Sequence, residues 1–183
     1  MSRPRAVVIG IGNRLRSDDA IGPIVAARLD ALELPGLLVT VCDGEPAGLI
    51  DTWAGVDLAV IIDAIRCDPP TPGRIRRATV EMLRGTPAAT GSHAVNIPEA
   101  FRLGRALGQL PGELVIIAVE AGSLARGCRL TQPVAAAAPG VLRAVFQEIA
   151  RVGIAEPIGA TGRPADAHAM AGPTQLPPPR PDR

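Results

Sequence analysis

The chain has 183 residues, of which 47% are apolar, and its formal net charge is +1 at pH 7. This length and apolar content suit one domain with a sizeable core, and the small net charge gives no electrostatic bias toward nucleic acid or a membrane surface. No apolar run approaches the roughly 20 residues that span a bilayer, and the first residues show no secretory signal pattern, so we expect a cytoplasmic protein that does not contact a membrane.

Strand and helix patterns alternate from residue 5 to residue 152, with buried strands recognised as continuous β-branched runs and helices by apolar spacing. In chain order, the predicted elements are a strand at 5–10, a helix at 20–32, a strand at 37–42, a short helix at 45–53, strands at 58–62 and 74–80, a helix at 96–108, a strand at 113–119, and a helix to residue 152 capped by Thr131. The 74–80 segment alternates polar and apolar residues, which indicates a half-exposed edge strand, parallel or antiparallel.

Continuous apolar strands that alternate with helices predict an α/β fold, because a parallel sheet must be covered on both faces. We therefore expect one domain over residues 1–154, built on a twisted, mostly parallel sheet of about five strands with helices on both faces. Seven of the 19 prolines lie in the last 27 residues, where large apolar side chains are few. This composition predicts a disordered tail at 155–183.

Several residue types narrow the possible chemistry. The sequence contains no lysine and no tyrosine, which excludes Schiff-base lysine and tyrosine acid–base catalysis. Three cysteines, Cys42, Cys67 and Cys128, are odd in number and lack CxxC spacing. A disulfide framework or a thiolate zinc site is therefore not expected, and we predict that each cysteine is a small buried hydrophobe.

A glycine turn follows the first predicted strand and reads Gly-Ile-Gly-Asn-Arg-Leu-Arg-Ser-Asp-Asp over residues 10–19. Its two carboxylates, Asp18 and Asp19, stand at the mouth of the next helix, where acids can cap the helix, bind a metal or transfer protons. A dinucleotide turn would carry a third glycine where Leu15 stands, and acids occupy the place of the phosphate. Phosphate binding is disfavoured on electrostatic grounds, although an α/β enzyme holding a small phosphorylated ligand at this turn stays as an alternative.

Polar residues follow the predicted strands at the sheet edge where open α/β sheets bind ligands. Asp19 follows the first strand, Asp63 ends the apolar run of the third, and His93 lies in a loop after the fourth. A shielded carboxylate near other acids needs a proton or a cation, and two carboxylates with one imidazole suit a borderline divalent metal. Each residue also has an ordinary structural interpretation, as a helix cap, a strand-end acid with hydrogen bonds, or a loop histidine.

The chain resembles the hydrogenase maturation endopeptidases, proteases that trim the C-terminus of the nickel–iron hydrogenase large-subunit precursor. The resemblance spans about residues 5–152 and rests on Gly10-Ile-Gly-Asn13 with Asp18-Asp19-Ala-Ile-Gly22-Pro23, on Asp43-Gly44 with Gly48, on Val60-Ile-Ile-Asp63-Ala64, on His93 after a small-residue loop, on Ser123-Leu124, and on Leu130-Thr131. It implies a twisted sheet between helices, in agreement with the fold predicted above.

By position, the family's metal-binding residues match Asp19, Asp63 and His93. The resemblance implies a precursor that already carries nickel on its own cysteines, so that these three residues engage the nickel and place the scissile bond. Another divalent metal could instead polarise the carbonyl or activate water, and Asp19 or Asp63 would be the catalytic base. Two alternatives stay open: the metal serves recognition only, or the protein is a non-catalytic chaperone that recognises a metal-loaded partner.

Overall fold

The structure, a computed structural model, describes residues 4–80 and 96–154. Its strands are β1 (Ala6–Ile11), β2 (Leu37–Cys42), β3 (Leu58–Ile65), β4 (Ile75–Ala78) and β5 (Glu113–Glu120). Its helices are α1 (Ile21–Asp30), α2 (Pro46–Trp53), α3 (Asn96–Leu107) and α4 (Gln132–Arg151), and a single 3-10 turn, η1 (Ser17–Ala20), precedes α1. Both His93 and the tail predicted at 155–183 lie outside the described residues.

The five strands form one sheet in the order β2-β1-β3-β5-β4. Strand β1 lies parallel to β2 and β3, and β3 lies parallel to β5. Strand β4 is antiparallel to β5 and closes the sheet at one edge. The predicted α/β class and mostly parallel sheet are confirmed. The predicted 74–80 strand is shorter in the structure, since only residues 75–78 pair with β5.

Helices cover both faces of the sheet, because alternate residues of each buried strand point to opposite sides. One face carries Val8 and Val60 and packs against α1 and α4, which contribute apolar residues including Leu29 and Val145. The opposite face packs against α2 and α3, where Trp53 is fully buried. Helices on both faces are what a fully apolar parallel sheet requires.

Glycines let α1 lie unusually close to the sheet. A Cβ on Gly22 would stand 2.6 Å from the carbonyl oxygen of Ile62 and would also collide with the carbonyl oxygen of Ile11. A Cβ on Gly10 would stand 2.5 Å from the carbonyl oxygen of Gly22. The close approach holds the start of α1, and η1 just before it, against the carboxyl ends of β1 and β3. Among the described residues, none of the helices combines the length and apolarity that crossing a membrane would need.

Candidate active site

The carboxyl ends of β1, β2 and β3 meet at one edge of the sheet, because the three strands are parallel and adjacent. Strand β1 leads into the glycine turn and η1, β2 leads into Asp43, and Asp63 lies near the end of β3. The topology therefore brings together polar residues that are far apart in the chain, as expected for this class of sheet.

Asp19 lies in η1 and is only 1% exposed. Its Oδ2 accepts a hydrogen bond from the backbone N–H of Asn13 at 3.1 Å, and no side chain caps η1. Gly12 makes this fold possible, because it adopts a φ of +136° and a Cβ there would collide with the carbonyl oxygen of Asp19. The glycine turn therefore folds around the Asp19 carboxylate. The N–H of Asn13 donates to this carboxylate rather than to a phosphate.

The sequence predicted that the third strand ends at residue 62, but β3 extends to Ile65. Asp63 therefore lies inside the strand and not after it. It stands opposite Ala118 of β5 and is 1% exposed. The prediction that its carboxylate is shielded is therefore confirmed, and the shielding is greater than a strand-end position would give. Strand β3 lies between β1 and β5, and at Asp63 it pairs with β5 while its pairing with β1 ends at Ile62.

Cys42 lies at the end of β2, close to Asp43 and Asp63. The sequence interpretation did not place this cysteine at the site. Burial raises the pKa of the Cys42 thiol, and the negative charges of Asp43 and Asp63 raise it further. Its side chain is half-buried rather than part of the closed core. Cys42 could have been identified from its position directly before Asp43-Gly44, at the end of a strand adjacent to β1.

An open cleft of about 560 Å³ lies at this edge and is called the first cleft below. It is lined by Gly12, Asn13, Arg14, Arg16, Asp19, Val41, Cys42 and Asp43. Asp43 is a turn acid, since its Oδ1 accepts the backbone N–H of Glu45 at 3.2 Å. Asp19 is the buried acid that faces this cleft.

Asp18, the neighbour of Asp19, has a different environment. It is fully buried, and its Oδ2 accepts hydrogen bonds from the backbone N–H groups of Gly122 and Ser123 at 2.8 and 2.9 Å. Thr131 adds its backbone N–H to Oδ1 at 2.6 Å and its hydroxyl to Oδ2 at 2.9 Å. Thr131 stands at the N-cap of α4 as predicted, but its hydroxyl binds Asp18 instead of capping the helix. Asp18 therefore joins η1 to the β5–α4 connection.

Glu120, at the end of β5, is also held by structural contacts. Its Oε1 lies 2.6 Å from the guanidinium of Arg76, and its Oε2 accepts the backbone N–H of Thr71 at 2.9 Å. Burial raises the pKa of the nearby Cys67 thiol, and Glu120 raises it further. Of the acids that crowd this edge, Glu120 and Asp18 are thus saturated by neighbouring donors.

The sequence predicts a metal site at this edge, built from two acids and one histidine. Within 4–80 and 96–154, no group of three or more His, Cys, Asp or Glu side chains is arranged to hold a metal ion. The predicted set includes His93, which the structure does not describe. The set of Asp19, Asp63 and His93 stays a prediction.

Comparison with known proteins gives a consistent result. The sequence profile of the hydrogenase maturation protease family (HycI) matches residues 25–148. A curated relative, the hydrogenase 2 maturation protease of Escherichia coli strain K12, is 28% identical over 158 residues, covering 82% of this chain and 93% of the relative.

Solved structures give the same picture. The hydrogenase maturating endopeptidase HybD from Escherichia coli superposes with a TM-score of 0.68 at 26% identity, covering 81% of this chain and 94% of that one. The solution structure of an endopeptidase from Escherichia coli gives a TM-score of 0.71 at 25% identity, covering 82% and 94%. The maturation protease HybD from Thermococcus kodakarensis shares the fold, with a TM-score of 0.65 at 21% identity over 79% and 98%. The profile match spans most of the domain, and the chain belongs to the hydrogenase maturation protease family.

Proposed function

We propose that this protein is an endopeptidase that removes the C-terminal extension of a nickel-loaded nickel–iron hydrogenase large-subunit precursor. Family membership and the relative named as a hydrogenase 2 maturation protease support the reaction class and the substrate. The observation that carries the proposal is the burial of two acids near the carboxyl edge of the sheet, Asp19 and Asp63, both 1% exposed, with Asp19 lining the first cleft.

Nickel enters this proposal as part of the substrate. The carboxylates of Asp19 and Asp63 and the imidazole of His93 would contact the nickel that the precursor holds. Oxygen and nitrogen donors of this kind suit a borderline divalent ion, and the two described acids fit that donor set. If a resident divalent metal binds the same residues, it would supply Lewis acidity toward the scissile carbonyl.

Hydrolysis requires a proton acceptor for the attacking water. The water oxygen bonds to the carbonyl carbon, and a carboxylate of Asp19 or Asp63 takes one water proton. The C–N bond then breaks, and that proton passes to the departing amine. We assign Asp19 the larger part in this step, because it faces the first cleft where a peptide can enter.

The test uses full-length precursor in nickel-loaded and nickel-free forms, with precursor mass as the readout. We expect the protein to shorten the nickel-loaded precursor at least about 100-fold faster, since recognition through the ion places the scissile bond. Equal cleavage of both forms would contradict nickel gating. Binding of the precursor without any shortening would favour the chaperone alternative.

The two histidines provide a matched pair of variants, since the sequence contains only His93 and His168. His93→Ala should abolish processing of the nickel-loaded precursor, and His168→Ala should process it at the wild-type rate. Thermal unfolding of both variants, measured beside the wild type, should change little. Normal processing by His93→Ala would remove His93 from the site.

A further inference from the structure

A second cleft, of about 720 Å³, adjoins the first. It is lined by Asn13, Leu15, Arg16, Leu124 and Arg126. Asn13 and Arg16 line both clefts, so the two clefts adjoin each other at the glycine turn. A peptide whose scissile bond lies at Asp19 can therefore continue into the second cleft.

The walls of the second cleft are built by backbone pairing. The N–H of Ser17 donates to the carbonyl of Gly127 at 2.8 Å, and the N–H of Gly127 donates to the carbonyl of Leu15 at 3.0 Å. Arg16 adds a bond from its Nε to the carbonyl of Leu124 at 3.3 Å. These bonds join the glycine turn to the β5–α4 connection, so the cleft has a defined shape on both sides.

The lining of the second cleft combines apolar and cationic groups. Leu15 is 65% exposed, the largest exposed fraction among the large hydrophobic side chains of the described residues. Arg16 and Arg126 bring two guanidinium groups to the same cleft, and within 4–80 and 96–154 neither forms an ion pair with a carboxylate. Two guanidinium groups that meet no carboxylate of the described residues, beside an exposed leucine, are complementary to a peptide that carries an apolar residue and a carboxylate.

We propose that the second cleft binds the part of the precursor downstream of the scissile bond, with an apolar side chain against Leu15 and Leu124 and a carboxylate against Arg126. This inference rests on the proposed protease function. The occupant is the extension rather than the nickel-bearing part, because any C-terminal extension ends in a carboxylate whatever its sequence. Arg126 is then a specificity-determining residue that acts on substrate affinity.

The experiment compares wild type with Arg126→Glu on two nickel-loaded precursors, one with two glutamates and one with two lysines inserted in the extension. For the glutamate precursor, we expect Arg126→Glu to raise KM roughly threefold to tenfold with kcat within about twofold, as reversal of one exposed charge pair allows. The lysine precursor should reverse this order, so that Arg126→Glu has the lower KM. Leu15→Ala should raise KM for both precursors.

Matched controls separate the possible outcomes. Arg102→Glu and Leu107→Ala change an exposed arginine and an exposed leucine on α3, and both should behave as wild type. If Arg126→Glu matches wild type in KM on both precursors, the second cleft does not bind the extension and the inference is wrong. If wild type cleaves neither precursor nor the unmodified nickel-loaded one, the proposed function itself fails.

Discussion

The hydroxyl of Thr131 donates a hydrogen bond of 2.9 Å to Oδ2 of Asp18, and this bond joins the first turn of the site to the start of the last helix. Asp18 and Asp19 are consecutive in sequence, yet they face different surroundings. Asp18 accepts four hydrogen bonds that lock η1 against the β5–α4 connection. Asp19, held on the other side of the same turn, lines the first cleft.

Substitution of the two adjacent acids should separate stability from activity. Asp18→Asn places an amide among N–H donors and should lower the free energy of unfolding by about 2–4 kcal/mol, with a melting temperature lower by roughly 4–16 °C. Asp19→Asn should melt within about 3 °C of wild type and lose at least about 100-fold in precursor cleavage, as loss of a catalytic base predicts. Melting curves and cleavage rates check both; a stable, active Asp18→Asn variant would contradict the structural role of Asp18.

Two helical glycines should respond in opposite directions to alanine. Gly22→Ala places a Cβ 2.6 Å from the carbonyl oxygen of Ile62, so α1 must move away from the sheet. We expect a loss of about 3 kcal/mol in the free energy of unfolding. Gly48→Ala, on α2 with no atom within 4 Å of the added Cβ, should gain about 0.5–1 kcal/mol. Denaturant unfolding measures both, and equal effects would show that α1 does not approach the sheet closely.

Glu148 should make stability depend on acid pH. Hydrogen bonds from Arg77, and then from Arg151, hold the pKa of this nearly buried carboxyl below its usual value of 4.5, against the opposing effect of burial. A carboxyl whose pKa is lower in the folded state stabilises the protein above 4.5 and loses that contribution as the pH falls through the folded-state pKa.

We therefore expect wild type to be about 1–2 kcal/mol more stable than Glu148→Gln at pH 7, and this difference to shrink as the pH falls below 4.5. Urea unfolding between pH 7 and pH 3 measures the difference. Glu99→Gln is the matched control, because it makes the same carboxylate-to-amide change at an exposed position on α3. A constant gap between wild type and Glu148→Gln across this range would show that Glu148 does not titrate as described.

The three cysteines should differ in reactivity toward iodoacetamide at mildly alkaline pH. Cys128 is exposed and Cys42 and Cys67 are half-buried, so the prediction that all three are buried hydrophobes is wrong. Burial raises the pKa of the thiols of Cys42 and Cys67, which lowers their thiolate fraction. Mass spectrometry of labelled peptides should find Cys128 modified first. Labelling of Cys42 as fast as that of Cys128 would contradict the partial burial of the Cys42 thiol.

Much of the architecture could be predicted from local pattern. The continuous apolar stretches within β1, β3 and β5 required a sheet covered on both faces, and the alternating run at β4 marked an edge. The position of the glycine turn and of Asp63 at the ligand-binding edge could also be predicted, because acids that follow or end apolar runs collect at one edge of a parallel sheet. The extension of β3 through Asp63 could not be predicted, because an acid is disfavoured in a strand on propensity alone. In the structure, pairing with β5 continues the strand past this acid.

The sequence by itself determined the layer architecture and the family resemblance, because periodicity and short motifs are local properties of the chain. Only the tertiary structure decided which of two adjacent acids is structural. Asp18 meets donors from residues 122, 123 and 131, more than 100 positions away, whereas Asp19 meets the nearby Asn13 and the cleft. Such contacts depend on how η1 sits against the sheet, and that placement follows from packing between distant segments rather than from the spacing of residues within the turn.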